Sequence, residues 1–320
     1  MIWPNQRLLD LLGIDLPIIQ APMAGLATSA MAAAVAEVGG LGSLGCAVLS
    51  ADQIRAELSA IRRQTSKPIN LNFFCYTSPV TDPAREAAWR GRLKSYYVEL
   101  GLDPEMPVST LTFAAFGSAH CDLVAELKPE VVSFHFGLPN EDLLGRVKAL
   151  GAKILSSATG VKEAIWLEQR GCDAIIAQGL EAGGHRGMFL SDNVATQAGT
   201  MALVPQVADA VGVPVIAAGG IADERGIAAA FMLGASGVQM GTAYLFCPEA
   251  NVSPLHRQAL KTAQDDQKGS HERPKWPRRP RGRQSDRSRT RPDDRTCVRL
   301  SSCRRRSCAA SLRVRAVRIR

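Results

Sequence analysis

Short apolar segments alternate along this chain with longer segments in which apolar residues recur every three or four positions. Segments of the first kind are typical of buried strands, and those of the second kind are typical of amphipathic helices. Their regular alternation favours a parallel sheet that is wrapped by helices. The pattern predicts strands at residues 16–20, 41–45, 67–74, 131–136, 153–157, 173–178, 213–218 and 237–240.

Eight strand–helix steps within about 240 residues are close to the length of about 250 residues that is typical of a (β/α)8 barrel. The predicted fold is therefore an α/β TIM barrel. A doubly wound open sheet is the alternative, and sheets of that kind that bind dinucleotides carry a GxGxxG motif after the first strand. Here no such motif follows the first strand, and glycine signals follow the seventh and eighth strands instead.

A long polar segment interrupts the pattern after the third predicted strand. It contains Pro79, Pro83, Trp89 and the pair Tyr96–Tyr97, and the next strand begins only at residue 131. We interpret this segment as an insertion into the barrel that has the length to cover one of its ends.

Net charge divides the chain into two parts. The whole chain carries +8, but residues 267–320 alone hold 19 Lys and Arg against 4 Asp and Glu. The first 266 residues hold the other 19 basic and 26 acidic side chains, which is a net charge of −7. We therefore predict a barrel domain over residues 1–266 and a basic low-complexity tail over residues 267–320.

The tail is rich in Arg, Ser and Pro and follows neither a strand nor a helix period, so we expect it to be disordered. It is a basic arm that binds nucleic acid, a solvated extension without function, or the product of a shifted reading frame. The composition changes abruptly within a helical pattern, whereas a regulated arm would usually follow a recognisable linker. This favours the frameshift, and we assign the tail no function.

Cysteine spacing and hydropathy argue against a disulfide-linked, metal-binding, secreted or membrane-spanning protein. The five cysteines of the barrel region are single and scattered, without a CxxC motif or a His/Cys cluster, so we expect reduced thiols and no metal site. No segment resembles a signal peptide, and none reaches the ~20 apolar residues that a membrane span needs. The expected location is the cytoplasm, and neither a membrane nor nucleic acid is an expected partner.

Glycines follow the two strands at which barrel enzymes often hold a phosphate group. Gly219–Gly220 follows the seventh predicted strand, and Gly241–Thr242 follows the eighth. Glycines allow backbone N–H groups to approach phosphate oxygens, and the loops at these strand ends often form the phosphate site. Either pair alone is explained as a tight turn, but the two together predict a phosphate site.

Two further segments carry groups that are suited to a flat ring. Ala21, Pro22 and Met23 follow the first strand, where a rigid proline and a polarisable methionine can lay backbone against a ring. Asn70 and Asn72 lie two residues apart in the third strand, so they share a face from which an amide can reach the barrel mouth. Core packing remains the alternative for Met23, and bonding within the barrel remains the alternative for both amides.

His135 and His185 are the candidate catalytic residues. His135 lies at the end of the fourth strand between two phenylalanines, and His185 follows the flexible pair Gly183–Gly184. Two imidazoles at the strand ends of one barrel are suited to acid–base chemistry, although a single histidine is more often structural.

Several motifs, taken in their order, resemble those of the nitronate monooxygenases, formerly called 2-nitropropane dioxygenases. The motifs are Gln20–Gly25, Ser133–Gly137, Ser156–Thr159, Gln178–Gly187, Ala218–Ala222 and Gln239–Thr242. The resemblance covers roughly residues 7 to 266. It implies non-covalently bound FMN and the oxidation of alkyl nitronates or nitroalkanes by O2 to carbonyl compounds and nitrite.

The resemblance also implies roles for individual residues. His185 is the implied catalytic base or substrate-orienting group, and His135 is a second imidazole near the flavin. Between Asn70 and Asn72 the match is ambiguous, and Asn72 is preferred. The predicted cofactor site as a whole comprises Ala21, Pro22, Met23, Asn72, Gln178, Gly183, Gly184, Gly219, Gly220, Gln239, Met240, Gly241 and Thr242.

Two alternatives compete with this interpretation. FMN-dependent enoyl-acyl-carrier reductases and NAD(P)H:quinone reductases resemble the family and can share the Gly-Gly-His loop, although we expect their fourth strand to end differently from Ser133–Gly137. Members of the family also continue with ordered chain where this sequence has its basic tail. The second alternative is therefore an inactive truncated barrel whose tail binds nucleic acid.

Overall fold

The computed structural model describes residues 3–76, 82–106 and 115–263, so the tail predicted from residue 267 onwards lies outside the described residues. The strands are β1 (Ile18–Gln20), β2 (Gly42–Gly45), β3 (Ile69–Phe74), β4 (Val131–His135), β5 (Lys153–Ala158), β6 (Ala174–Gln178), β7 (Val215–Ala218) and β8 (Gly237–Met240). They form one sheet in the order β1-β8-β7-β6-β5-β4-β3-β2, in which each neighbouring pair is parallel.

The sheet closes into a barrel between β1 and β2. Ile19 forms a parallel bridge with Leu41. The backbone N–H of Gln20 donates to the Leu41 carbonyl, and the N–H of Leu41 donates to the Ile18 carbonyl, both at 3.0 Å. The side chain of Gln20 adds a third bond, because its Oε1 accepts from the Ser43 backbone N–H at 2.9 Å. Both edges of the sheet are thereby joined, and the predicted (β/α)8 TIM barrel is confirmed.

Helices alternate with the strands, and polar N-cap side chains fix where several of them begin. The helices are α1 (Arg7–Leu12), α2 (Ser29–Glu37), α3 (Ala51–Arg62), α4 (Pro83–Glu99), α5 (Ser118–Leu127), α6 (Glu141–Ala149), α7 (Val161–Gln169), α8 (Thr200–Ala210), α9 (Glu224–Met232) and α10 (Pro254–Thr262). Thr28, Ser50, Asn140 and Asp223 each accept from a backbone N–H of the first turn, which the helix itself leaves without an acceptor. None of the helices in the described ranges is long and apolar enough to cross a membrane.

The predicted strands are confirmed, and three of the differences at their ends have a common cause. β1, β3 and β7 each begin two residues later than the sequence pattern suggests, immediately after Pro17, Pro68 and Pro214. Proline has no N–H to donate to a neighbouring strand, so each strand begins at the residue that follows the proline.

The insertion after β3 contains α4 and α5. Cys121, Leu123 and Val124 of α5 are buried against the barrel. In contrast, α4 buries none of its residues, and its Trp89 and Tyr96 are 49% and 41% exposed. A cover over one barrel end is therefore not formed by α4 within the described part of the insertion. The sequence pattern did not predict α4 as a helix, because its apolar residues do not fall on one face.

The close packing of α2 on β2 depends on a glycine. A Cβ atom at Gly42 would overlap the carbonyl oxygen of Ala32, which belongs to the helix backbone and cannot move alone. Gly145 in α6 is the opposite case, because a Cβ atom there would meet no other atom within 4 Å.

We expect Gly42→Ala to lower the free energy of unfolding by about 1–3 kcal/mol, the usual cost of overpacking a core. Gly145→Ala should raise it by roughly 0.5–1 kcal/mol, because alanine is the better helix former. Urea unfolding followed by circular dichroism measures both changes. An unchanged midpoint for Gly42→Ala would show that α2 can move away from β2 at little cost.

Candidate active site

The carboxyl ends of the eight parallel strands lie at one end of the barrel, where barrel enzymes carry their active sites. The residues that the sequence places in the site lie at the ends of β1, β3, β4, β6, β7 and β8, or in the loops that follow them. The fold therefore gathers them at a single rim from distant parts of the chain.

The turn after β7 has a backbone conformation that requires glycine. Gly219 and Gly220 have φ angles of 115° and 70°, which residues with a side chain rarely adopt. Thr200 Oγ1 lies 2.9 Å from the Gly219 carbonyl oxygen, and the Thr200 N–H donates to Glu181 Oε2 at 2.8 Å, so this turn is tied to the loop after β6. In the described part of the chain, the N–H groups of Gly220 and Gly241 donate to no protein acceptor, which leaves both for an anion.

Three loops of the predicted cofactor site touch one another. A Cβ atom at Gly183 would lie 3.6 Å from Thr242 Oγ1. A Cβ atom at Gly241 would lie 3.5 Å from Ala21 Cβ and 3.7 Å from Met23 Sδ. The loops after β1, β6 and β8 therefore lie next to one another at the rim.

His135 is half-buried at the end of β4, and both of its ring nitrogens are bonded. Nδ1 lies 3.0 Å from Ser157 Oγ, and Nε2 lies 3.0 Å from the backbone carbonyl oxygen of His185. A carbonyl oxygen only accepts, so Nε2 carries the hydrogen and Nδ1 accepts from the Ser157 hydroxyl. Burial lowers the pKa of His135 to about 4, so the ring is neutral near pH 7 and both of its nitrogens are occupied by these two hydrogen bonds.

Gln178, at the end of β6, holds the same loop through two side-chain hydrogen bonds. Its Nε2 donates to the His185 carbonyl at 2.9 Å, and its Oε1 accepts from the Gly187 backbone N–H at 2.7 Å. Two side chains, His135 and Gln178, therefore donate to one carbonyl oxygen. Gln178 is a predicted flavin contact, but its amide is already bonded to the loop on both sides.

The imidazole of His185 is exposed at the rim of the barrel. Its ring centroid lies 5.4 Å from that of Phe74 and 6.0 Å from that of Phe136, both in edge-on geometry. No side-chain hydrogen bond from this ring occurs within the described ranges. A fixed backbone and a free imidazole are the combination that a general base or a substrate-orienting group needs.

The two asparagines of β3 have different partners. Asn72 donates through Nδ2 to Ser133 Oγ at 2.9 Å, and Asn70 donates to Ser43 Oγ at 3.0 Å. Asn70 is fully buried, and its Oδ1 has no partner among the described residues. Asn72 remains the predicted flavin contact, since it lies nearer to the carboxyl end of the strand.

The remaining predicted contacts differ in exposure. Pro22 and Gln239 are half-buried and Gly184 is exposed, so all three can face a ligand. Met240 is fully buried, and its carbonyl accepts from the Ala21 N–H at 2.8 Å. The Met240 side chain therefore packs in the core, and only its backbone can contribute to the site.

Glu163, which no sequence motif singled out, ties α7 to the loop after β6. It is only 4% exposed. Its Oε1 accepts from the N–H groups of Phe189 (2.7 Å) and Leu190 (3.1 Å), and its Oε2 accepts from the N–H (2.7 Å) and the hydroxyl (2.8 Å) of Thr159. The available signal was a glutamate at the third position of a predicted helix, where carboxylates commonly bond to backbone N–H groups.

Comparison with known proteins identifies the family. A sequence model described as nitronate monooxygenase matches residues 5–284. A nitronate monooxygenase of Pseudomonas aeruginosa is 45% identical over 80% of this chain and 74% of its own length, and one of Paraburkholderia phytofirmans is 46% identical over 80% and 70%. The chain belongs to the nitronate monooxygenase family. Members of this family are FMN-dependent oxidoreductases, and FMN is the cofactor of the chain.

Solved structures support the same fold. A nitroalkane oxidase from Streptomyces ansochromogenes superposes with a TM-score of 0.70 at 35% identity, over 80% of this chain and 72% of that one. FabK from Thermotoga maritima superposes with a TM-score of 0.61 at 32% identity, over 82% of this chain and 69% of that one.

The rim residues of this family member fit FMN. The unbonded N–H groups of Gly220 and Gly241 can meet the phosphate, and the surface formed by Ala21 and Met23 is suited to the flat ring. Within the described ranges there is no group of three or more His, Cys, Asp or Glu side chains that could hold a metal ion.

We expect Gly219→Ala to bind FMN about tenfold more weakly or worse. Alanine pays about 1–2 kcal/mol in a left-handed conformation, and its Cβ would lie 2.9 Å from the Ala182 backbone nitrogen. Quenching of flavin fluorescence gives the dissociation constants of FMN and riboflavin, and Gly145→Ala is the control. Because the turn is expected to hold the phosphate, the preference for FMN over riboflavin should shrink in the variant, and an unchanged preference would place the phosphate elsewhere.

His135 gives a pH dependence of stability whose sign follows from its pKa. The pKa is about 4 in the folded chain and 6.5 in the reference state, so between these values the unfolded chain binds a proton that the folded chain does not. The free energy of unfolding should therefore fall as the pH drops from 6.5 to 4, by at most about 3 kcal/mol from this group. His135→Gln keeps an N–H donor without titrating, so urea unfolding at pH 7 and 4.5 should show a smaller loss in the variant. Equal losses would mean that His135 is protonated in the folded chain.

Proposed function

We propose that the chain oxidises alkyl nitronates with O2 to carbonyl compounds and nitrite, and that His185 is the catalytic base or substrate-orienting group. One observation carries the proposal: the free imidazole of His185 lies at the rim where the predicted flavin loops meet, on a backbone that His135 and Gln178 hold in place. The names of the Pseudomonas relative, a nitronate monooxygenase, and the Streptomyces neighbour, a nitroalkane oxidase, support this reaction class.

The reaction divides between the cofactor and the residues of the chain. When bound, FMN supplies the electron acceptor for the nitronate and passes electrons to O2. The atoms balance, since two nitronate anions and one O2 give two carbonyl compounds and two nitrite ions. As an imidazolium, His185 can donate to a nitronate oxygen, and as a neutral imidazole it can accept the α-proton of a nitroalkane. His135 cannot replace it, because both of its ring nitrogens are bonded.

The finer assignments extend the proposal. We propose that Met23, Asn72, Gly183, Gly220 and the segment Gln239–Thr242 contact FMN, in agreement with their place at the rim. Gln178 would contribute chiefly by positioning the loop that carries His185. The enzyme domain would span residues 1–266 and act in the cytoplasm on small nitro compounds.

We expect His185→Asn to reduce turnover of a neutral nitroalkane by about 10²–10⁴-fold, the usual contribution of a general base. The FMN content should stay near normal, because the imidazole does not hold the phosphate. Turnover of a preformed nitronate should fall less, since its α-proton has already been removed. Stopped-flow flavin reduction and oxygen uptake measure the two substrates side by side.

The matched control is His256→Asn, which replaces a histidine of α10 that is not among the predicted site residues. It should oxidise both substrates at the rate of the unchanged chain. Normal turnover of the neutral nitroalkane by His185→Asn would remove His185 from the role of base.

The second candidate function is an FMN-dependent NAD(P)H reductase. The likeness to FabK favours it, although its TM-score of 0.61 is lower than the 0.70 of the nitroalkane oxidase. Anaerobic mixing distinguishes the two, because NAD(P)H bleaches the flavin of a reductase and a nitronate bleaches that of a nitronate enzyme. The third candidate, nucleic-acid binding by the basic tail, concerns residues that lie outside the described ranges.

A further inference from the structure

The loop after β6 runs from residue 179 to residue 199 and contains one short 3-10 turn, Val194–Thr196. Loops of this length with little regular structure are uncommon in a compact domain and often functional. His135 and Gln178 anchor its first half, at the His185 carbonyl and the Gly187 N–H. The chain beyond Gly187 needs an anchor of its own, because it has no helix or strand to hold its course.

Glu163 of α7 supplies that anchor. Its Oε1 accepts from the backbone N–H groups of Phe189 at 2.7 Å and Leu190 at 3.1 Å. Among the described residues, it is the one group outside the loop that hydrogen-bonds to the segment 188–192. Its Oε2 is bonded to Thr159, just beyond the end of β5, so both oxygens of this buried carboxylate are used. The carboxylate therefore joins the end of β5 to the loop that carries the candidate base.

The same face of α7 also contacts the Phe189 side chain. Trp166 lies one helical turn after Glu163, and its ring packs edge-on against that of Phe189 with centroids 5.0 Å apart. The Phe189 ring also lies close to Gly137, where a Cβ atom would be 3.3 Å from Phe189 Cδ2. By fixing the backbone here, Glu163 keeps the ring in contact with both α7 and the end of β4.

Two routes lead from this anchored segment to the imidazole of His185. The first passes through Gly137 to its neighbour Phe136, whose ring centroid lies 6.0 Å from that of His185. The second follows the backbone through Gly187, which lies against the ring of His135, because a Cβ atom there would be 2.7 Å from His135 Cε1. A shift of the anchored segment would therefore reach the imidazole by both routes.

We propose that Glu163 is a positioning residue for the reaction: it holds the segment after Gly187 against α7 and so keeps His185 oriented to remove the α-proton of a nitroalkane. Its carboxylate oxygens are bonded to Thr159 and to backbone N–H groups, so its effect is exerted through the loop. This inference rests on the proposed function, since it assigns the proton transfer to His185.

Glu163→Ala tests the proposal, and Glu168→Ala is its matched control. Glu168 lies on the same helix and likewise accepts from two backbone N–H groups, those of Gly212 at 2.6 Å and Val213 at 3.1 Å. These two residues precede β7, so they lie at the end of the barrel opposite the rim. The control removes an equivalent bond pair from α7 without touching the loop after β6.

Hydrogen–deuterium exchange followed by mass spectrometry measures the anchor independently of activity. In the FMN-loaded full chain, Glu163→Ala should speed exchange of a peptide covering residues 187–192 by about tenfold or more, because two N–H groups lose their acceptor and the segment opens more often. Glu168→Ala should instead speed exchange around residues 211–214. Equal exchange of residues 187–192 in both variants would show that Glu163 does not hold the loop and would overturn the inference.

Turnover per bound flavin measures the consequence for the reaction. Glu163→Ala should lower kcat/KM for neutral nitroethane by about 10-fold to 100-fold, the cost of a reacting group displaced by about an ångström. It should lower kcat/KM for ethyl nitronate much less, because that substrate needs no base. Glu168→Ala should oxidise both substrates at near the normal rate. An equal fall with both substrates would leave Glu163 with a structural role alone and would overturn the inference.

Glu163→Gln keeps the test decisive if the alanine variant does not fold. Its amide has one acceptor oxygen and cannot serve both Thr159 and the loop, so it should show the same changes to a smaller degree. Behaviour equal to that of Glu168→Ala in both measurements would overturn the inference. If the unchanged chain oxidises neither substrate although exchange follows the expected pattern, the proposed function is wrong and Glu163 still holds the loop.

Discussion

Two hydrogen bonds to one backbone carbonyl set the geometry of the candidate site. His135 from β4 and Gln178 from β6 both donate to the His185 oxygen. The loop they hold contains Gly183–Gly184 and has little conformational preference of its own. The ends of β4 and β6 therefore determine where the imidazole lies, and two side-chain hydrogen bonds fix a loop that is flexible by composition.

The end of β4 concentrates features that a stable fold would otherwise avoid. Phe136 has a left-handed backbone, which costs of order 1–3 kcal/mol, and the neighbouring imidazole of His135 is kept neutral by burial. Both are held in place by hydrogen bonds from neighbouring side chains. Ser157 bonds to the ring of His135, and Ser156 donates to the carbonyl of Gly137, the residue after Phe136. Strain of this kind collects at functional sites, which agrees with the position of Phe136, whose ring centroid lies 4.6 Å from that of His135 and 6.0 Å from that of His185.

The sequence predicted the parts of the molecule that depend on local chemistry. Apolar runs located the eight strands, and the turn at Gly219–Gly220 was recognisable because left-handed backbone needs glycine. Partners brought in by strand register were not recognisable. The ring of His135 bonds to groups 22 and 50 residues away, and Glu163 bonds to backbone 26 and 27 residues further on. The role of His135 as an anchor and the importance of Glu163 therefore emerged only from the fold.

Gln20 is the first residue of the segment that resembles a cofactor loop, and its side chain also accepts a hydrogen bond across the joint between β1 and β2. That joint has one bridge, whereas the other neighbouring strands share ladders of three to five residue pairs. FMN bound against this loop would bind the closed barrel and not a barrel opened between β1 and β2. Its binding would therefore favour the closed form by mass action. The lifetime of the protein against proteases would then depend on how well the cell supplies flavin.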